Sequence, residues 1–195
     1  IRPLLWKNGW PVAGEVFKEG TYEIESERRG YALELAVDFV RMEYTRHRFW
    51  EKDDTPVVPL KSQTLEDVIE TWPQGKINVR IGDYMFRPHQ KWTITAVPDG
   101  GGYLGGPYYK IVIEGTNRAL AATADAEVVT VPEFTGAPEQ LWRIDQLTDG
   151  TYRIMPKEVP GTDKELVLVS VGDSTPSLGE FNMNSDNSKW NFRDH

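Results

Sequence analysis

Short apolar strands broken by turn residues run the length of this chain, and they recur with a period. Gln90-Lys91-Trp92, Gln140-Leu141-Trp142 and Ser188-Lys189-Trp190 repeat one pattern at intervals of 50 and then 48 residues. A second marker precedes each tryptophan: Gly20-Thr21-Tyr22-Glu23-Ile24, then Tyr108-Tyr109-Lys110-Ile111, then Gly150-Thr151-Tyr152-Arg153-Ile154. Each marker leads through a turn to another apolar strand, at Ala32–Val37, Arg118–Ala121 and Glu165–Val169, mostly of residues suited to a pleated, half-buried surface. The pairs Asp149-Gly150 and Asp99-Gly100 predict tight turns and hairpins. Three units of about four strands each predict an all-β assembly with pseudo-threefold symmetry, closed because closure removes exposed sheet edges.

The units are unequal. Tyr22 to Trp92 spans 70 residues, whereas Tyr109 to Trp142 spans 33 and Tyr152 to Trp190 spans 38, so the first unit carries an insertion. Within Ser62–Trp72, residues Leu65, Val68, Ile69 and Trp72 fall on one helical face, and Thr64 with Asp67 forms a capping box. One short helix is expected there. Residues 1–17, with Trp6, Trp10 and two prolines, read as an extended N-terminal segment or linker from a preceding domain. The repeats are then about 18–92, 93–142 and 143–195, within one domain at 18–195.

Composition narrows the partners. Net charge is −8 with a pI near 5.0, and no run of Lys or Arg exceeds two residues, so nucleic acid is disfavoured as a partner. No apolar stretch approaches the roughly 20 residues of a membrane-spanning helix. With no cysteine, disulfides and thiolate zinc sites are excluded, and the compartment stays open. The first residue is Ile1, which suits a piece of a longer polypeptide whose export signal would lie upstream.

The repeated Q-x-W with its matching tyrosine strands resembles the ricin-type β-trefoil over about residues 18–195, with Ser188 replacing glutamine in the third unit. The resemblance implies a β-trefoil with an N-terminal extension and a short helical insertion in the first repeat. It also implies tryptophans packed around the pseudo-threefold axis. Arg2-Pro3-Leu4-Leu5-Trp6 and Gly9-Trp10-Pro11-Val12 resemble the tail of catalytic domains in glycoside hydrolase family 43, the arabinanases and their relatives. Together these imply a secreted or periplasmic parent enzyme acting on arabinan or another plant cell-wall polysaccharide, with catalysis in a catalytic domain of the same polypeptide.

In the ricin-type family, sugar contact is implied to come from an early Asp in a unit, an aromatic residue, and an Asn or Gln shortly before Q-x-W. The nearest equivalents are Asp173, Phe181 and Asn184 in unit three, and Asp125, Phe134 and Gln140 in unit two. An aromatic ring beside a carboxylate and an amide can stack on and hydrogen-bond a sugar ring. In unit one Asp38 follows Leu35, and Tyr84 and Phe86 are among the possible aromatic partners. The same residues also suit solvated turns.

Other chemistry has little support. Gly100–Gly105 fits G-x-G-x-x-G, but a strand and no helix follows it. Glu25 with Glu27 and Glu34 with Asp38 share strand faces, as solvated surface carboxylates do. His47, His89 and His195 are scattered, so no metal pair or Ser-His-Asp set emerges and no cofactor is expected. The function expected is a non-catalytic carbohydrate-binding module appended to a plant-polysaccharide-degrading enzyme. The alternative is a structural domain packed on the catalytic propeller, with Trp6, Trp10 and Trp50 at the interface. An independent hydrolase has the least support.

Overall fold

The computed structural model describes residues 4–7, 10–13, 17–28, 30–37, 64–103, 106–172 and 174–194. Asp38, His47, Trp50, Asp173 and His195 lie outside them. Two strands, β1 (Leu4–Lys7) and β2 (Trp10–Ala13), form an antiparallel hairpin with its own small sheet, where the sequence suggested an extended segment.

Twelve strands follow. Six close a barrel: β3 (Gly20–Ser26), β6 (Trp92–Tyr103), β7 (Gly106–Ile113), β10 (Trp142–Gln146), β11 (Tyr152–Pro156) and β14 (Trp190–Asp194). Each pairs with two others, in the cyclic order β3, β6, β7, β10, β11, β14 and back to β3. The other six form three hairpins that cap the barrel: β4 (Ala32–Leu35) with β5 (Ile77–Gly82), β8 (Ala119–Ala122) with β9 (Val128–Val131), and β12 (Val167–Val171) with β13 (Thr175–Gly179). This is a β-trefoil, and its pseudo-threefold symmetry appears in the register. Tyr22 faces Trp92, Tyr109 faces Trp142 and Tyr152 faces Trp190.

The same symmetry sets the core. Trp92, Trp142 and Trp190 are wholly buried. Each indole Nε1–H donates to a cap-strand carbonyl, of Leu33 at 2.8 Å, Leu120 at 2.9 Å and Leu168 at 2.9 Å. Burying one indole contributes roughly 4–6 kcal/mol of transfer free energy. The hydrogen bond lets that ring enter the core without stranding its polar edge. The Leu-to-Trp separation is 22 residues in units two and three and 59 in unit one, which locates the insertion between β4 and β6. There α1 (Leu65–Glu70) begins at Thr64 with the expected capping box to Asp67. Arg118 ties the chain after the helix to unit two, donating to Gly75 O at 2.7 Å and Pro73 O at 2.9 Å.

Phe17 fills the barrel. Its ring packs on all three barrel tyrosines, 5.2 Å from Tyr22, 5.9 Å from Tyr109 and 5.5 Å from Tyr152, and 4.6 Å from Phe192. Its carbonyl accepts from the Tyr109 hydroxyl. The residue at which the extension was expected to end is thus part of the barrel core.

Two expectations are corrected. Asp99-Gly100 is not the turn of its hairpin. It sits inside β6 at a register break between Val97 and Gly102, where Gly101 at φ +87 accommodates a bulge and the hairpin runs on to Tyr103 and Gly106. Asp149-Gly150 does turn, with Asp149 Oδ1 accepting from the Thr151 amide and hydroxyl. Glu34 is no solvated carboxylate, being 3% exposed. Its oxygens meet Arg80 Nε at 2.6 Å, Gln90 Nε2 at 2.6 Å and His89 Nε2 at 3.3 Å. Burial pushes its carboxyl up, but the contacts from His89, Arg80 and Gln90 outweigh burial and hold it below the ordinary 4.5.

The residue two places ahead of each tryptophan clamps the loop that precedes it. Gln90 Oε1 accepts from the Met85 amide at 2.8 Å, and Gln140 Oε1 from the Thr135 amide at 2.7 Å. Ser188 replaces them by donating to Asn182 O at 3.1 Å.

Replacing Trp142 by Phe strands the Leu120 carbonyl and leaves a void, so stability should fall by about 2–4 kcal/mol. Urea unfolding checks this, and a loss below about 1 kcal/mol would contradict the role given to the indole N–H. Glu34 is ionised more readily folded than unfolded, so its contribution is present above pH 4.5 and is lost as pH falls through its lower folded value. Glu34→Gln should cost about 1–3 kcal/mol at pH 7. The gap to wild type should close as pH falls below 4.5, as read from denaturation midpoints, and a pH-independent gap would exclude an ionic contribution.

Candidate functional site

Each unit carries an aromatic residue in the loop between its cap hairpin and its tryptophan: Tyr84, Phe134 and Phe181. In units two and three it meets the residue that follows the barrel tyrosine. Lys110 Nζ lies 5.4 Å from the Phe134 ring centroid, and the Arg153 guanidinium lies 4.9 Å from that of Phe181. Both are cation–π contacts that orient the ring. In unit one the equivalent residue is Glu23, an acid. Burial first, then the charges of Glu23 and Glu114, push the Tyr84 hydroxyl up to about 12, so it stays protonated near neutral pH.

The residues expected from sequence to form the sites separate on inspection. Asp125 is exposed at the tip of the β8–β9 hairpin, in a turn closed by Ala126 N–H on Thr123 O. Phe134 lies beyond the opposite end of that hairpin, its amide donating to Asn117 O at 2.9 Å. Gln140 is buried and its side-chain carbonyl accepts from the Thr135 amide, with the Thr135 hydroxyl 3.3 Å away. The unit-two residues therefore do not converge. In unit three Phe181 is half-buried and Asn184 exposed on the same loop, where Asn184 N–H donates to Asn182 Oδ1 at 3.0 Å. Asp173 lies outside the described residues. The side chain of Tyr103, at the end of β6, is not among those described.

A cleft of about 580 Å³ elsewhere in unit three was not foreseen. It is lined by the segment Lys157–Glu165 between β11 and β12 and by Tyr108 and Arg143 from other strands. Lys157 in the lining has its Nζ 5.2 Å from the Tyr108 ring centroid and 2.6 Å from Gly100 O. Asp145 Oδ2 bridges Arg143 Nε and Arg153 Nη2, both at 2.7 Å. Since Arg153 covers the Phe181 ring, this bridge connects the cleft to the aromatic loop. The lining offers donors and acceptors around one ring, with Asp163, Lys164 and Glu165 exposed on the rim. Such a surface suits a hydroxyl-rich, uncharged ligand. Among the described residues no group of three or more His, Asp or Glu could hold a metal ion.

The family profile described as "Ricin-type beta-trefoil lectin domain-like" matches residues 88–177. No curated protein sequence matches the chain. Among solved structures, the designed threefold-symmetric protein ThreeFoil superposes with a TM-score of 0.59 at 19% identity, over 90% of this chain and 99% of that one. A Polyporus squamosus lectin, solved with a sialylated trisaccharide epitope bound, gives a TM-score of 0.58 at 16% identity, covering 91% of this chain and 50% of the lectin. The exo-β-1,3-galactanase 1,3Gal43A of Clostridium thermocellum gives 0.55 at 15% identity, over 94% of this chain and 32% of the enzyme. The chain thus spans half or less of these two natural proteins. The superpositions support the β-trefoil as the fold of this chain, and residues 88–177 are similar to the ricin-type lectin-like family.

Proposed function

We propose that this chain is a non-catalytic carbohydrate-binding module, and that it serves a secreted or periplasmic glycoside hydrolase of family 43 that degrades plant cell-wall polysaccharide. The observation that carries the binding reading is the unit-three cleft, a polar groove with Tyr108 on its wall, coupled through Asp145 and Arg153 to Phe181. Aromatic rings take the C–H face of a sugar while flanking carboxylates, amides and guanidinium groups take its hydroxyls. The enzyme context draws on the N-terminal residues Arg2–Trp6 and Gly9–Val12, and on the galactanase, in which a region of this shape is one part of a longer chain. A tethered module of this kind raises the effective concentration of its catalytic partner at an insoluble substrate even when each contact is weak.

Affinity electrophoresis of the chain in gels containing arabinan or arabinoxylan should retard the wild type. Asp163→Ala and Phe181→Ala should each weaken retardation about tenfold, as expected for losing one central polar or aromatic contact. Asp163 is exposed, so its loss should leave the thermal midpoint unchanged. Failure of the wild type to bind any glycan tested would return the module to the structural role of supporting a neighbouring domain.

A further inference from the structure

Unit three departs from the repeat at a place where units one and two agree. From the isoleucine two places after the barrel tyrosine to the leucine that accepts from the indole is nine residues in unit one (Ile24 to Leu33) and nine in unit two (Ile111 to Leu120), but 14 in unit three (Ile154 to Leu168). The extra residues fall in the β11–β12 connection that lines the cleft. A second insertion lies in the β6–β7 hairpin. Trp92 to Tyr109 spans 17 residues, whereas the equivalent step from Trp142 to Tyr152 spans 10, and the surplus holds the bulge at Gly101. Neither insertion belongs to the threefold repeat, so the cleft is a site that the repeat does not supply.

The two insertions meet through Lys157. Its amide donates to Leu141 O at 2.7 Å, as Glu27 N–H does to Lys189 O and Glu114 N–H to Lys91 O. Those carbonyls each precede a core tryptophan, so the three residues hold equivalent places. Units one and two put an acid there, and unit three a lysine. A carboxylate can neither donate to a carbonyl nor rest on the negative face of a ring. The ammonium does both, reaching Gly100 O at 2.6 Å in the bulge and the Tyr108 ring at 5.2 Å from its centroid.

Other parts of the lining are fixed without it. Val159-Pro160-Gly161-Thr162 is a tight turn, with Thr162 N–H on Val159 O at 3.2 Å and Gly161 at φ +80, where such a turn takes glycine. Asp145 holds Arg143. Tyr108 and the bulge of the β6–β7 hairpin are tied to the β11–β12 segment by Lys157.

We infer that Lys157 is a positioning residue for the cleft: its ammonium latches the β6–β7 insertion to the β11–β12 insertion, so that the groove and its Tyr108 ring are set before a neutral glycan binds. A groove formed in advance spares the ligand the cost of ordering two loops, and affinity rises accordingly. The ligand assigned here rests on the carbohydrate-binding reading, but the latch itself is observable in the free protein, so the two can fail separately.

The test pairs affinity electrophoresis in arabinan or arabinoxylan gels, referenced to polymer-free gels, with amide hydrogen exchange across Asp99–Tyr103 in the free chain. Lys157→Met keeps the side-chain stem and removes the ammonium. It should bind about tenfold more weakly than wild type and exchange faster across Asp99–Tyr103, at an unchanged thermal midpoint because Lys157 is exposed. Lys157→Arg keeps a donor and a cation over the ring, and should restore both readouts. If Lys157→Met exchanges like wild type, there is no latch and the inference is overturned, whatever its binding. Faster exchange with wild-type retardation overturns the positioning role and leaves the carbohydrate reading standing. Weaker binding that Lys157→Arg does not restore makes Lys157 a direct ligand contact and overturns the role given to it. A Lys157→Met midpoint far below wild type shows a fold-wide role and overturns it as well. Wild type retarded by neither polymer overturns the carbohydrate reading and, with it, the ligand assigned to the latched groove.

Discussion

The tryptophan hydrogen bond to the cap, made three times, is the constraint on which the rest of the structure depends. A buried indole contributes more apolar surface than any other side chain, but its N–H is costly to leave unpaired in a dry core. Leu33, Leu120 and Leu168 supply the acceptors, and those carbonyls belong to the first strand of each cap hairpin. Barrel and cap are thereby locked together at three symmetric points. Phe17 closes the assembly from within by packing on the tyrosines that face those tryptophans.

On that frame the loops ahead of the tryptophans are free to differ. The clamp is a glutamine in units one and two and a serine in unit three, with the same consequence of anchoring a loop. The residue after the barrel tyrosine changes from Glu23 to Lys110 to Arg153, and the loop aromatic packs against a cation in units two and three and against a neighbouring ring in unit one. The left-handed step is glycine in one unit and phenylalanine in another. Symmetry stabilises the frame, and departures from it at the rim create surfaces that are not copies of one another.

The fold was legible because its markers are periodic and its markers are core. Tryptophans at near-fixed spacing, the tyrosine strands ahead of them and the capping box at Thr64 each follow from local pattern, and each appears where the pattern put it. The site was less legible. Asp125 and Phe134 are nine residues apart in sequence but lie beyond opposite ends of a hairpin, and Gln140 spends its side-chain carbonyl on the Thr135 amide. Glu34 reads as one more strand carboxylate until Arg80, His89 and Gln90 are seen to enclose it.

The sequence by itself determined the number of units, their unequal lengths, the insertion in the first and the three tryptophans of the core. Repetition and burial are properties of a single strand pattern, and a period of about fifty residues needs no partner to be seen. Tertiary structure alone decided which polar groups meet. The unit-three cleft joins Tyr108 of one unit to the Lys157–Glu165 loop of the next, and barrel closure sets that neighbourhood. The exposure of Phe86 depends on a backbone angle and on a clamp anchored to Glu34, 56 residues from Gln90 along the chain. Contacts between units carry no spacing signal, because the closing pairings bring together residues that local sequence leaves unrelated.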